Sequence, residues 1–180
     1  LGQPIFRAWT AGCANGQETY SLAALLRATL RGRRFDVLGT DILAQRTETA
    51  ALGIFKKESI DEMEWVHYPV LDAIDADTLQ VRPEIREATR FATHNFLDPP
   101  PAVGAFHLIL CRNALYYVSD DSIRLALSNL ASALAPGGPT IGLGGQFTVK
   151  ELLVEVRAPL IEGRPFAHLL SVNGSYRNSD

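Results

Sequence analysis

Four short clusters in this chain of 180 residues hold the residue types that bind ligands and carry reactions. The first is Ala11-Gly12-Cys13-Ala14-Asn15-Gly16-Gln17-Glu18. Glycines at the end of a strand let the backbone turn sharply and let a ligand approach it closely. The same residues would equally serve an ordinary strand-to-helix turn. Their G-x-x-x-G spacing is not the G-x-G-x-x-G of dinucleotide sites, so a nicotinamide cofactor is disfavoured. The second is Asp41, 25 residues after Gly16. An acid at a strand end can accept hydrogen bonds from two ribose hydroxyls, or it can cap a helix that starts near Leu43. Together the glycine turn and the acid point to a nucleoside cofactor without saying which. The third and fourth clusters are His94-Asn95-Phe96-Leu97 and Cys111-Arg112-Asn113-Ala114-Leu115-Tyr116-Tyr117. Neither contains a Ser-His-Asp set or the ligand spacing of a metal site. His107 sits inside an apolar run and reads as structural.

The elements that must position these clusters follow from periodicity. Phe6 to Ala11 is a short apolar strand; Leu22, Leu25, Leu26 and Leu30 then recur at helical spacing; Phe35 to Thr40 is a second buried strand. Strand, helix and strand in that order make a βαβ unit and hence a parallel sheet. Ala88 to His94 returns the chain to the sheet, and Ala105 to Cys111 is apolar enough to be buried on both faces. Asp120 is the expected N-cap of a helix carrying Ile123, Leu127, Leu130 and Leu134. Thr140 to Leu143 is a further strand, and an Asn173-Gly174 turn joins Phe166–Val172 to a last short one as a hairpin. All four clusters then fall at the carboxyl ends of strands, where ligands gather in open α/β sheets. Ser59 to Ile85 has no clean period and is expected to be a partly helical insertion with weak strands near its end.

Composition narrows the class. With 47% apolar and 21% charged residues, the chain is an ordinary globular domain, and a net charge of −3 disfavours a nucleic-acid partner. Two cysteines without a disulfide or metal framework fit a reducing, cytoplasmic setting. The sequence shows neither a membrane span nor a signal peptide. It starts at Leu1 without an initiator Met and is expected to be a trimmed domain.

Taken in order, the clusters resemble the CheR family of chemoreceptor glutamate methyltransferases. That family's pattern runs A-G-C-S-x-G-E-E-x-Y-S, T-D-I, H-N-L, F-D-x-I-x-C-R-N-x-x-I-Y-F and L-x-P-G-G. This chain reads A-G-C-A-N-G-Q-E-T-Y-S, T-D-I, H-N-F-L, F-H-L-I-L-C-R-N-A-L-Y-Y-V and L-A-P-G-G over residues 5–178. The resemblance implies a Rossmann-like α/β fold, with a mostly parallel seven-stranded sheet and a small subdomain inserted at about 59–87. It implies S-adenosylmethionine as cofactor and S-adenosylhomocysteine as product. By position, Gly12 would pass under the methionine part, and Gln17 or Glu18 would supply a cofactor contact. Asp41 would hold the ribose, Asn95 and Phe96 would flank the adenine, and Arg112 and Asn113 would lie near the methionine end. Tyr117 would stand close to the transferred methyl group. The implied partner is a protein acceptor such as a chemoreceptor's cytoplasmic helix, and the implied chain also has an upstream helical domain.

Several positions depart from the pattern. The paired glutamates are Gln17-Glu18 here, and the family's G-x-S-E is replaced by Gly142-Leu143-Gly144-Gly145-Gln146. Pro139 stands where a central strand begins. Trp65 to Arg86 holds no glycine, although the family's receptor-docking subdomain has a glycine-rich loop, which speaks against docking of that kind. Three readings follow: a protein-glutamate methyltransferase, a degenerate cofactor-binding module acting through partners, or a small-molecule methyltransferase.

Overall fold

The computed structural model describes residues 5–60, 70–135 and 140–143, with backbone alone at Tyr116, Tyr117 and 140–143. The chain enters through strand β1 (Phe6–Ala11), helix α1 (Gln17–Leu30), strand β2 (Phe35–Asp41) and helix α2 (Ala44–Leu52). Strands β3 (Ile54–Lys56), β4 (Leu71–Ala73) and β5 (Thr78–Val81) follow, then the short helix α3 (Pro83–Arg86) and strand β6 (Thr89–Thr93). Strand β7 (Leu108–Arg112), helix α4 (Asp120–Ser132) and strand β8 (Thr140–Leu143) follow, and short 3₁₀ turns lie at Lys57–Ser59 and Ala114–Tyr117.

Five strands form one sheet in the order β6-β2-β1-β7-β8, and every pairing in it is parallel. The order reverses between β1 and β7, which puts the switch point of the sheet, and the crevice that goes with it, at their carboxyl ends. The pleat of β1 divides the core. Ala8 joins the cluster built around Tyr20, Ala23 and Ala24 of α1. Trp9 and Ala11 join the opposite cluster, with Phe106, Ile109 and the α4 residues Ala126 and Leu130. Trp9, fully buried, satisfies its indole N–H on the Thr40 hydroxyl at 2.8 Å. Thr10 faces α1 and shares a 2.6 Å hydrogen bond with Thr19.

Two expectations change. The N-cap of α4 is Ser119, whose hydroxyl accepts from the Ser122 N–H at 3.4 Å, and Asp120 is the first helical residue. A serine oxygen reaches an N–H of the first helical turn, here that of Ser122, as an aspartate would, and Asp120 instead adds charge favourable to the helix N-terminus. The buried strand begins at Leu108 rather than Ala105, because Phe106 leaves the β1 ladder for an isolated bridge to Leu134. In the insertion, the weak strands expected near its end appear as β4 and β5, and its described helical parts are short, a 3₁₀ turn at Lys57–Ser59 and α3. The strands make a three-stranded antiparallel sheet in the order β3-β5-β4, starting at Ile54. Short, irregular strands of three and four residues leave no readable period. Pro139 and the expected hairpin at 166–178 lie outside the described residues.

His107 is structural as expected. Its Nδ1 accepts the Arg7 backbone N–H at 3.0 Å, and its ring stacks on Phe6.

Candidate functional site

All four clusters meet through hydrogen bonds or close packing at the carboxyl edge of the sheet, the third through the His94 N–H, which bonds the Asp41 carbonyl at 2.9 Å. Gly12 and Cys13 both donate their N–H groups to the Thr40 carbonyl at 2.8 Å, so the turn after β1 folds across the end of β2. Gly12 has φ +82°, and a Cβ there would lie 2.5 Å from the Ala114 Cβ. The glycine turn and the segment after β7 therefore touch at the one point where no side chain fits.

Asp41 ties the next pair. Its Oδ2 accepts the Ala14 N–H at 3.0 Å and its Oδ1 accepts the Leu43 N–H at 3.0 Å. Both readings of this residue therefore find footing: it orders the entry to α2 and it faces the glycine turn. Each carboxylate oxygen has a second lone pair, and the side chain stays partly exposed. Ile42 and Leu43 beside it are 62% and 57% exposed, an apolar surface at the crevice that sequence spacing does not single out. Arg46 on α2 reaches back to Asn15 at 3.0 Å, a second bridge between the two loops that no motif signals.

Glu18 and Arg112 come together from α1 and β7. Their nearest atoms, Oε1 and Nη1, are 3.5 Å apart. That distance makes an ion pair, yet the buried Oε1 receives no well-formed hydrogen bond from any described residue. Burial pushes the Glu18 carboxyl above its ordinary value, and Arg112 offsets only part of the rise. A carboxyl raised on folding holds its proton more tightly folded than unfolded. It costs the fold stability as pH rises through that interval, and the cost persists above it. Glu18→Gln is therefore expected to raise the melting temperature of the ligand-free chain at neutral pH. The advantage should fade below about pH 4, where the wild-type carboxyl is protonated in both states. Melting curves of both proteins across pH check this, and an advantage independent of pH would contradict it.

The remaining site residues are placed less tightly. Asn95 turns its Oδ1 inward to the Leu97 N–H at 3.0 Å. Phe96 packs against the α4-side core. Asn129 of α4 pins this loop by donating to the carbonyls of Phe96, Leu97 and Asp98. His94 packs edge-on to Trp9 and bonds the Pro99 carbonyl through Nε2 at 3.0 Å, leaving its buried Nδ1 unpartnered. Asn113 holds a left-handed backbone, φ +59°, at the start of the turn that carries Tyr117. Gln17 opens α1 directly after Gly16.

Cys13 and Cys111 are both buried in this region. Burial first, then the charge of Asp41 on Cys13 and of Glu18 on Cys111, push both thiols up to about 12. Neither is a nucleophile at physiological pH. Both are expected to react with a disulfide reagent at pH 8 at least ~10³-fold more slowly than an unperturbed thiol, and to react normally on unfolding. Rapid labelling of the folded chain would contradict their burial.

Residues 2–153 match the model of the CheR methyltransferase, SAM binding domain. The chain belongs to the CheR methyltransferase family. Among curated relatives of this CheR domain are chemotaxis protein methyltransferases of Listeria innocua, 32% identical over 77% of this chain, and of Borreliella burgdorferi, 30% identical over 68%. The chain spans about half the length of these relatives, 52% and 45% respectively. A 104.1 kDa uncharacterized protein of Rhodobacter capsulatus is 36% identical over 84% of the chain, which covers 16% of that protein. Among solved structures, the glycopeptide N-methyltransferase MtfA in complex with S-adenosylmethionine superimposes with a TM-score of 0.51. The match has 9% identity and covers 78% of this chain and 48% of that one, so it speaks to the Rossmann-like methyltransferase fold.

The CheR domain's donor set suits S-adenosylmethionine chemically. The buried Oε1 of Glu18 has an ion-pair partner in Arg112 but no hydrogen-bond donor, and the cofactor carries an α-ammonium that could supply one. Arg112 offers a guanidinium to a carboxylate, and the open lone pairs of Asp41 suit paired hydroxyls. Among the described residues there is no group of His, Cys, Asp and Glu suited to a metal, and no helix long and apolar enough to cross a membrane.

Proposed function

We propose that this domain binds S-adenosylmethionine along the carboxyl edge of its sheet, and that the protein to which it belongs transfers the methyl group to glutamate carboxylates of a cytoplasmic protein acceptor. The observation that carries the reading is the buried Oε1 of Glu18, unsatisfied beside Arg112 at the sheet's switch point. A buried charge without a good partner is costly, and an α-ammonium satisfies it. Asp41 holds the ribose while its other lone pairs keep the two loops together. Ile42 gives an apolar surface for the adenine, and Asn95 and Phe96 close its other side. Gly12 passes under the methionine part, and Gln17, Arg112 and Asn113 complete the methionine end.

The bound cofactor supplies a methyl group already activated on a sulfonium. The acceptor carboxylate is ionised at neutral pH and needs no general base. The cofactor would supply the methyl to one carboxylate oxygen of the acceptor and leave as S-adenosylhomocysteine, with no proton to move. The protein's task is then in-line orientation and exclusion of water. Tyr117, in the turn after β7, stands at the family position nearest the transferred methyl. Tyr117→Phe is expected to slow transfer by roughly ten- to a hundredfold with unchanged cofactor affinity. Single-turnover rates measured beside calorimetric Kd values separate the two quantities, and unchanged turnover would return Tyr117 to a packing role.

The acceptor assignment follows the chemotaxis methyltransferase relatives. Its test is transfer of tritiated methyl from the cofactor to a glutamate-bearing receptor helix by the intact protein, read as base-labile methanol. Label that resists base, or enters only small molecules, would overturn it. The loss of one carboxylate at Gln17 and of the Ser-Glu pair replaced by Gly145-Gln146 favours one second reading. In it the domain holds the cofactor without turnover and acts through its partners. Tight binding with no transfer in the intact protein would select that reading.

A further inference from the structure

The basic side chains are unevenly placed. Between Glu18 and Asp36 the sequence has no acidic residue but four arginines, Arg27, Arg31, Arg33 and Arg34, in a chain whose net charge is −3. Three of them fill the turn from α1 to β2, Arg31-Gly32-Arg33-Arg34, and all are exposed. None of these three has a hydrogen-bonded or ion-paired side chain among the described residues. The nearest acid in sequence, Asp36, is already taken by Arg90.

The turn is nevertheless tied to its neighbours by backbone hydrogen bonds. The Arg33 N–H bonds the Leu30 carbonyl at 3.0 Å, and the Arg34 carbonyl accepts the Phe6 N–H at 2.9 Å. Arg31 closes α1 in a left-handed conformation, φ +43° and ψ +58°, where glycine is the favoured residue. A positive charge at a helix C-terminus accounts for an arginine in the last turn. It does not account for an arginine in a backbone conformation that strains it, nor for two more beyond. Space around Gly32 is open: a Cβ added there would meet no atom within 4 Å.

We propose that this arginine turn is a docking point for an acidic protein segment, one rich in Asp and Glu. Guanidinium forks match carboxylates in bidentate geometry, and a turn whose backbone is already hydrogen-bonded has less freedom to lose on binding. The turn carries no apolar side chain that would enter a bilayer, and the chain's net negative charge opposes nucleic acid. The surface lies at the amino ends of the strands, roughly 20 Å along β2 from Asp41. It therefore acts apart from the cofactor crevice, and the inference stands independently of the proposed reaction.

Fluorescence anisotropy of a labelled poly-glutamate peptide against the full chain is the test. Replacing Arg31, Arg33 and Arg34 by Ser is expected to weaken binding about tenfold, three exposed charge pairs' worth. The double change Lys56→Ser with Lys57→Ser should leave it within about twofold, as a charge control. Arg31→Gly separates binding from folding, since it should raise the melting temperature by relieving the left-handed strain while weakening the peptide complex. Equal binding by the triple variant and the wild type would overturn the proposal. So would sedimentation with phosphatidylserine vesicles in the absence of peptide binding.

Discussion

Asp41→Ala is expected to weaken binding of S-adenosylmethionine by roughly two orders of magnitude, about 2–4 kcal/mol, while the chain still folds. The size follows from two losses that coincide. The proposed contact of the carboxylate with the ribose goes, and the Ala14 and Leu43 N–H groups lose their acceptor. Those two N–H groups lie near solvent, so water replaces most of what the fold loses, and the cost to stability should stay near ~1 kcal/mol. The glycine turn, however, loses its tie to the entry of α2, which leaves the crevice less ordered before the ligand arrives. Asp41→Asn is informative beside it, because an amide keeps one acceptor oxygen but turns its NH2 toward one of the two donors. Binding close to that of wild type in the alanine variant would remove Asp41 from the site.

Gly12→Ala should damage both fold and site. The left-handed φ of +82° strains any side chain, and the added carbon would sit 2.5 Å from the Ala114 Cβ. Strain of about 1–2 kcal/mol and overpacking of about 1–3 kcal/mol together give a loss of roughly 2–5 kcal/mol. For a chain of this size, that lowers the melting temperature by roughly 5–15 °C. Because the contact joins the turn after β1 to the segment after β7, relief by movement would pull the two walls of the crevice apart. Cofactor affinity should therefore fall even at temperatures where the variant is fully folded. Paired melting and titration measurements check both halves, and an unaffected melting temperature would contradict the close contact.

What the sequence makes legible is the parallel sheet and the edge at which the clusters meet. Apolar runs such as F-D-V-L-G-T and F-H-L-I-L-C are long enough to show burial on both faces, and strand-turn-helix order then dictates parallel pairing. The weak strands near the end of the insertion are legible, but β3 and the antiparallel pairing of β3, β5 and β4 are not, because strands of three and four residues carry no period. Ser119 does not stand out as a cap because Asp120 beside it is an equally good capping residue by type, and only backbone geometry decides between them. Within the site, residue types mark Asp41 and Glu18. Composition does not reveal that Asp41 spends half of its acceptors on Ala14 and Leu43, nor that Arg112 and Glu18 stand face to face. Both depend on distances between segments 27 and 94 residues apart in the chain. The Asn129 clamp on the loop after β6 is invisible for the same reason.

The central claim is that this CheR domain carries a working S-adenosylmethionine crevice at the ends of β1, β2, β6 and β7. Calorimetric titration of the purified chain with S-adenosylmethionine, and separately with S-adenosylhomocysteine, tests it most directly. A Kd in the micromolar range for either ligand, lost in Asp41→Ala, is the expected result. A folded chain that takes up neither ligand would contradict it.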